Sequence, residues 1–261
     1  MAKSGGGKGG KNNEWIKTLV AASILAAFKA AVDWVREHLP EIKDFFSHLG
    51  KKAIKWWNGK KVAVIGPPAV GKDSLFHRLK REPLPEKPHS TKGAEKQKPF
   101  HFKRTLPNGK TFSVMFKRCI NVGGEKEQTR HWMEACRESD VIFFMMTIDD
   151  LRDSKYLPGN RIHGDLKWLA ANMGDMKPNT VVHILVNKID LALADGKGYE
   201  LLIKQVEPQV TELQNTAQSL FGDYATRLTG MSLTSMKDDY LFGVTFLLAL
   251  ERVYRALHDE A

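Results

Sequence analysis

The chain has 261 residues, 42% of them apolar, and a formal net charge of +10. That length and apolar content predict one domain of about 200 residues plus an extension, and two cysteines, Cys119 and Cys136, exclude a disulfide framework or a zinc site. Residues 1–61 hold 12 Lys and Arg against five Asp and Glu, so the basic bias belongs to the extension, and no nucleic-acid partner is expected for a core with so little excess charge.

Residues 1–13 are Gly/Lys-rich and are expected to be disordered. Residues 14–59 are expected to form a helical extension. Within it, residues 15–35 form a long apolar run broken by Lys17, Lys29 and Asp33. About 20 apolar residues span a bilayer, and this run reaches that length only with charges near one end. It is too long, and lacks the small-residue cleavage site, for a signal peptide. Lysines before the run favour a cytoplasmic N-terminus, whereas Arg36, Lys43, Lys51 and Lys52 pull the other way. An interfacial amphipathic anchor avoids that conflict; a helix packed on the protein or a partner is the alternative. Pro40 opens a second helical segment, with Ile42, Phe45, Phe46, Leu49, Ile54 and Trp57 at helical spacing. Trp56 and Trp57 beside lysines suit a lipid headgroup boundary and equally suit a helix docked on the core.

Residues 60–261 read as one domain. Lys61 to Ser74, KVAVIGPPAVGKDS, is an apolar strand pattern, a glycine-bounded loop and the start of a helix. That is the context of a P-loop, in which Gly66, Ala69, Val70 and Gly71 curl backbone N–H groups around a phosphate. The helix N-terminus adds to the field, and Lys72 supplies a full charge for the outer phosphates. The magnesium-binding hydroxyl usual after the lysine is replaced by Asp73, with Ser74 one place later. Residues 82–99 read as an exposed loop containing Thr91. Two alternating runs around Asn108-Gly109 predict a hairpin, whose second strand runs on to Asn121 and puts an antiparallel strand at the sheet edge. A helix is expected around Gln128–Arg137, a central strand over Val141–Ile148, a helix over Leu166–Met173 and a buried strand over Thr180–Val186. A long helix over Tyr199–Leu220, a short strand within Ala225–Leu233 and a closing helix over Asp238–Leu257 complete the chain. Strands alternating with helices predict an α/β fold: a six-stranded, mostly parallel sheet with one antiparallel edge strand and helices on both faces.

NKID, residues 187–190, follows a buried strand directly, where ligands of open α/β sheets bind. Asp190 can accept from the N1–H and 2-amino groups of guanine, a donor pair that adenine lacks. Asn187 can brace the loop, the Lys188 stem can cover the ring face, and a backbone N–H at Ser232 or Leu233 can reach guanine O6.

From Lys61 onward the chain resembles a Ras-like small GTPase of the P-loop class. GPPAVGKD resembles the first GTPase motif and Thr91 the switch I threonine. NVGGE, residues 121–125, resembles the switch II motif, and NKID and MSL resemble the fourth and fifth motifs. Gly123-Gly124, the following RHW and VIFFMMTIDD look most like the ADP-ribosylation-factor branch, which uses an N-terminal amphipathic helix on membranes. The resemblance implies GTP/GDP and Mg2+ as ligands, with Lys72, Thr91 and Glu125 at the reacting phosphate, Gly124 at the nucleotide, and Asp73, Thr91 and Asn121 around the metal. Three positions depart from it: Asp73 stands for Ser/Thr, Asn121 for the switch II Asp, and Glu125 for the water-orienting Gln. The first two read either as one carboxylate moved between positions or as lost metal affinity. The expectation is a cytoplasmic, membrane-associated switch that binds GTP, hydrolyses it slowly and presents its switch loops to an effector or regulatory protein. The alternative is a tethered, non-hydrolysing pseudo-GTPase scaffold.

Overall fold

The computed structural model describes residues 52–85, 93–105, 111–125, 129–193 and 199–258. The 15–35 run, Thr91 and the Asn108-Gly109 turn lie outside the described residues. Six strands form one sheet in the order β2-β5-β1-β6-β7-β8: β1 Lys61–Ile65, β2 Ala94–Gln97, β5 Arg118–Val122, β6 Val141–Thr147, β7 Val181–Asn187 and β8 Leu228–Leu233. Five run parallel, and β2 pairs antiparallel with β5 at one edge. Strands β3 (Phe100–Thr105) and β4 (Thr111–Phe116) form a separate two-stranded sheet.

Side-chain alternation along β1 divides the core in two. Ala63 and Ile65 face one layer with Trp132, Leu166, Leu169 and Leu213. These come from α3 (Thr129–Arg137), α5 (Arg161–Ala171) and α7 (Tyr199–Phe221). Val62 and Val64 face the other layer with Leu75, Leu79, Phe242, Phe246 and Leu250, from α2 (Lys72–Lys80) and α8 (Asp239–Ala256). Two short helices, α4 (Ile148–Arg152) and α6 (Ile189–Leu193), follow β6 and β7 directly. Thr147 and Asp150 cap α4 reciprocally, which starts a helix where the apolar run alone reads as continued strand. Both cysteines are buried, and burial pushes the Cys119 thiol up to about 12, so both behave as small apolar side chains.

The expected hairpin forms, but it does not supply the edge strand. The run after the turn breaks at Lys117, so that β4 stays with β3 while β5 enters the sheet beside β1. The reason lies in the hairpin's apolar face. Phe102, Phe112, Val114 and Phe116 are buried, and the Phe102 ring sits 5.5 Å from Phe246 and 6.3 Å from Phe242. Arg104 on the same ribbon is bound to Asp239, at 2.9 Å and 3.2 Å. The sheet edge is instead closed by the short, polar β2.

Residues 52–57 form a helix, here α1, which docks on the core. Trp57 is 1% exposed, stacks on Phe143 with centroids 6.5 Å apart, and donates from Nε1 to Leu250 O at 3.0 Å. Trp56 is half-buried against Tyr254 and His258, with Lys60 Nζ 4.3 Å from its ring centroid. Of the two readings of the tryptophan pair, docking on the core is the one observed. Among the described residues, no helix is long and apolar enough to cross a membrane.

Candidate functional site

The carboxyl ends of β1, β5, β6, β7 and β8 lie at one edge of the sheet, where their loops converge. The loop after β1 turns into α2, whose first residue is Lys72. Lys72 is buried, and its Nζ donates to Gly66 O at 2.9 Å and Pro67 O at 2.7 Å. An ammonium has three N–H donors, so the loop's own carbonyls use two. Burial lowers the Lys72 pKa to about 8, partly opposed by Asp73 and, more weakly, by Asp165. Pro68 and Ala69 form the exposed crest of the loop, with Ala69 in the left-handed region at φ 60°.

Asn187 ends β7 and reaches across to this loop. Its Nδ2 donates to Val70 O at 2.8 Å, and its Oδ1 accepts from Met236 N at 3.3 Å. Gly71 allows that approach: it caps α2 at φ 96°, and a Cβ there would collide with Asn187 Nδ2. Lys188 follows at φ 65°, and Asp190 lies in the first turn of α6. Asp190 Oδ1 accepts from Ser235 Oγ at 2.6 Å, and Ser235 Oγ accepts from Lys237 N at 3.2 Å.

Leu233 ends β8 as expected of the last motif, and the Ser232 hydroxyl points into the sheet, 3.0 Å from His183 Nε2. Burial lowers the His183 pKa to about 3 and keeps the ring neutral there, with Thr229 on its other nitrogen. The side chains and amides beside Asp190 come from Ser235 to Lys237, just beyond the strand. A short polar loop immediately after an apolar strand was the available signal. Sequence reasoning also missed Arg78, whose Nε donates to Met236 O at 2.6 Å and Nη2 to Lys237 O at 2.5 Å.

The two substituted positions meet. Asn121, 1% exposed near the end of β5, donates from Nδ2 to Asp73 Oδ1 in the first turn of α2. Ser74 is half-buried on the same helix. Gly123 N donates to Gly93 O at 2.9 Å, and the buried Trp132 donates from Nε1 to Gly123 O at 2.9 Å. Gly124 lies so close to Pro67 and Pro68 that a Cβ would collide with their backbone. Glu125 follows and is exposed. Arg130 and His131 sit on α3 beside Glu134, as expected of residues on that helix. Arg161, at the start of α5, donates to Gly124 O at 2.8 Å, and no sequence motif pointed to it.

Three remote segments thus converge: the Gly66–Asp73 loop, the Asn121–Glu125 turn, and the Asn187–Asp190 turn with Ser235–Lys237. A buried ammonium and a helix N-terminus suit an anion, and the Asp190 carboxylate suits a paired donor. Among the described residues, no group of three or more His, Cys, Asp and Glu side chains is arranged to hold a metal ion. A magnesium ion carried by phosphates takes most of its ligands from them and from water, and the Asp73 carboxylate is the acidic side chain in the first turn of α2 with oxygens to offer such an ion. No family model matches the chain, and no curated protein matches it.

Proposed function

We propose that this chain is a P-loop guanine-nucleotide switch: it binds GTP with magnesium at the Gly66–Asp73 loop and hydrolyses it slowly to GDP. The observation that carries the reading is the Asn187 bridge, which ties a lysine-bearing glycine loop to a carboxylate-bearing turn through Val70 O and Met236 N. A phosphate chain on the first and a base on the second would span one nucleotide. Lys72 neutralises the outer phosphates, Asp190 takes the guanine N1–H and 2-amino groups, and Ser235 holds that carboxylate in place. Asp73, hydrogen-bonded to Asn121, holds the metal directly or through water. The Asn121–Glu125 turn and the sequence around Thr91 are the elements that would respond to the terminal phosphate and be read by a protein partner. The apolar run at residues 15–35 would place the domain on the cytoplasmic face of a membrane.

A second reading is supported by Glu125. A carboxylate where a water-orienting amide would stand repels the terminal phosphate, and favours a chain that holds nucleotide without turnover. Nucleotide extracted from the gently purified protein, together with a single-turnover assay, separates the two. The switch reading expects bound GDP and slow release of phosphate from added GTP. Retained GTP with no turnover favours the scaffold, and a chain with no affinity for either guanine nucleotide contradicts both.

A further inference from the structure

Arg161 opens α5 in a setting that its sequence position does not suggest. Its Nε lies 2.7 Å and 2.8 Å from the two carboxylate oxygens of Asp165, one helical turn on, and its Nη2 donates to Gly124 O at 2.8 Å. Asp165 is 7% exposed, so the ion pair is held rigidly rather than splayed in solvent. Gly124 in turn packs on Pro67 and Pro68, and Pro67 O accepts from Lys72 Nζ. Lys72, Pro67, Gly124 and Arg161 therefore form one run of contacts at the outer end of the phosphate-binding loop.

The two peptide planes flanking Gly124 are both pinned. Trp132 Nε1 holds Gly123 O, and because a trans peptide points its N–H opposite its C=O, this bond fixes the direction of the Gly124 amide. Arg161 holds Gly124 O and fixes the next plane. A glycine pays more conformational entropy to be held than any other residue, so these two donors decide whether the turn is preorganised. Trp132 is fully buried and belongs to the core. Arg161 is the pin that could respond to charge, since it and Asp165 both lie close enough to Lys72 to perturb it.

We propose that Arg161 is a positioning residue for the terminal phosphate: by holding Gly124 O it sets the Gly123–Gly124 turn against the loop, and so selects nucleoside triphosphate over diphosphate. This rests on the nucleotide-binding reading above. On that reading the glycine turn, packed on Pro67 beside Lys72, would lie against the outermost phosphate, so its preorganisation should affect triphosphate and leave diphosphate nearly untouched. Asp165 orients the guanidinium, and lysine at this position keeps the charge but loses the fork geometry.

The test uses the full chain with magnesium, and measures dissociation constants for GDP and for a non-hydrolysable GTP analogue. Native protein is compared with Arg161→Lys, Arg161→Ala and Asp165→Asn, each checked for folding by circular dichroism. The expected result is a loss of about tenfold or more in triphosphate-over-diphosphate preference for Arg161→Ala, a smaller loss for Arg161→Lys and Asp165→Asn, and GDP affinity close to native. Equal weakening of both nucleotides, or an unchanged preference, overturns the proposal; if Arg161→Ala does not fold, the Arg161→Lys ratio decides. Native protein that binds the two nucleotides while the variants behave identically sinks this inference alone. Native protein that binds neither overturns the nucleotide reading and this inference with it.

Discussion

Asn121 donates its side-chain amide to the carboxylate of Asp73, joining the end of β5 to the first turn of α2. The two residues that depart most from a magnesium-dependent GTPase pattern are thus each other's partner. A carboxylate and a side-chain amide are both present in this contact, as an exchange of positions requires. Asn121→Asp alone should place two carboxylates in contact and cost about 1–3 kcal/mol of stability, read from urea unfolding. Adding Asp73→Ser should recover most of it, which a double-mutant cycle measures as coupling. The same variants test the metal. Asp73→Ala should abolish the magnesium-dependent tightening of GTP, and the double variant should restore it. Equal GTP affinity with and without EDTA in the native protein would show that Asp73 is no metal ligand.

On the proposed reading, Lys72 should make phosphate binding pH-dependent. Its folded pKa of about 8 lies below the ordinary 10.5 because the charged form is desolvated. Burying that charge is a cost fully present below pH 8 and relieved as pH rises towards 10.5, so this group's contribution to stability increases over that window. Binding has the opposite sign. A phosphate beside Lys72 favours the ammonium, so above pH 8 binding takes up a proton and affinity falls by up to about tenfold per pH unit. Calorimetry in buffers of different ionisation enthalpy should show that uptake, and Lys72→Met should lose both the affinity and its pH dependence.

Arg78 holds the Ser235–Lys237 segment beside Asp190. It donates to Met236 O and Lys237 O and lies 3.6 Å from Asp239, which also binds Arg104. Arg78→Ala should free the Ser235–Lys237 segment and weaken guanine-nucleotide binding by about 1–3 kcal/mol, with ATP binding unaffected. A loss shared equally by adenine nucleotides would place the effect in the phosphate loop at the other end of α2.

Trp57 ties the extension to the domain. Trp57→Ala should cost about 3–5 kcal/mol through the cavity it leaves, and Trp57→Phe about 1 kcal/mol through the lost bond to Leu250 O. Chemical denaturation measures both. Truncations that test membrane association should therefore keep residues 52–57; vesicle sedimentation after removing only the upstream segment then reports on the apolar run alone.

The central parallel strands of the main sheet were readable in the sequence because they are continuous apolar runs, as VIFFMMTI and TVVHILV are; the polar edge strand β2 was not, since it lies in a stretch read as exposed loop. The hairpin was readable as a hairpin but not in its placement. Its alternating phenylalanines specify a buried face without naming its partner, which turned out to be Phe242 and Phe246 from the far end of the chain. Within the site, Lys72, Asn187 and Asp190 were found because short motifs carry them next to strand ends. Ser235, Arg78 and Arg161 were not, since each acts through one contact to a residue far away in sequence. Strand alternation turns the Ser232 hydroxyl inward to His183, and the hydroxyl that reaches Asp190 lies three residues further on, at Ser235.

The most direct test of the account is the base preference of the native chain and of Asp190→Asn, measured as competition among GTP, ATP and XTP for one site. Asp190 accepts from Ser235 through Oδ1, and a carboxylate has about four acceptor sites, which leaves capacity for a base that offers two adjacent donors. The native protein should prefer GTP over ATP by about 10⁴-fold or more, as sites built around a required hydrogen-bond pair do. Asp190→Asn replaces one acceptor oxygen by a donor; it should lose GTP and gain XTP, whose 2-oxo group accepts that donor. ATP binding as tight as GTP in the native protein, or an Asp190→Asn variant with unchanged GTP affinity, would contradict the guanine-nucleotide reading.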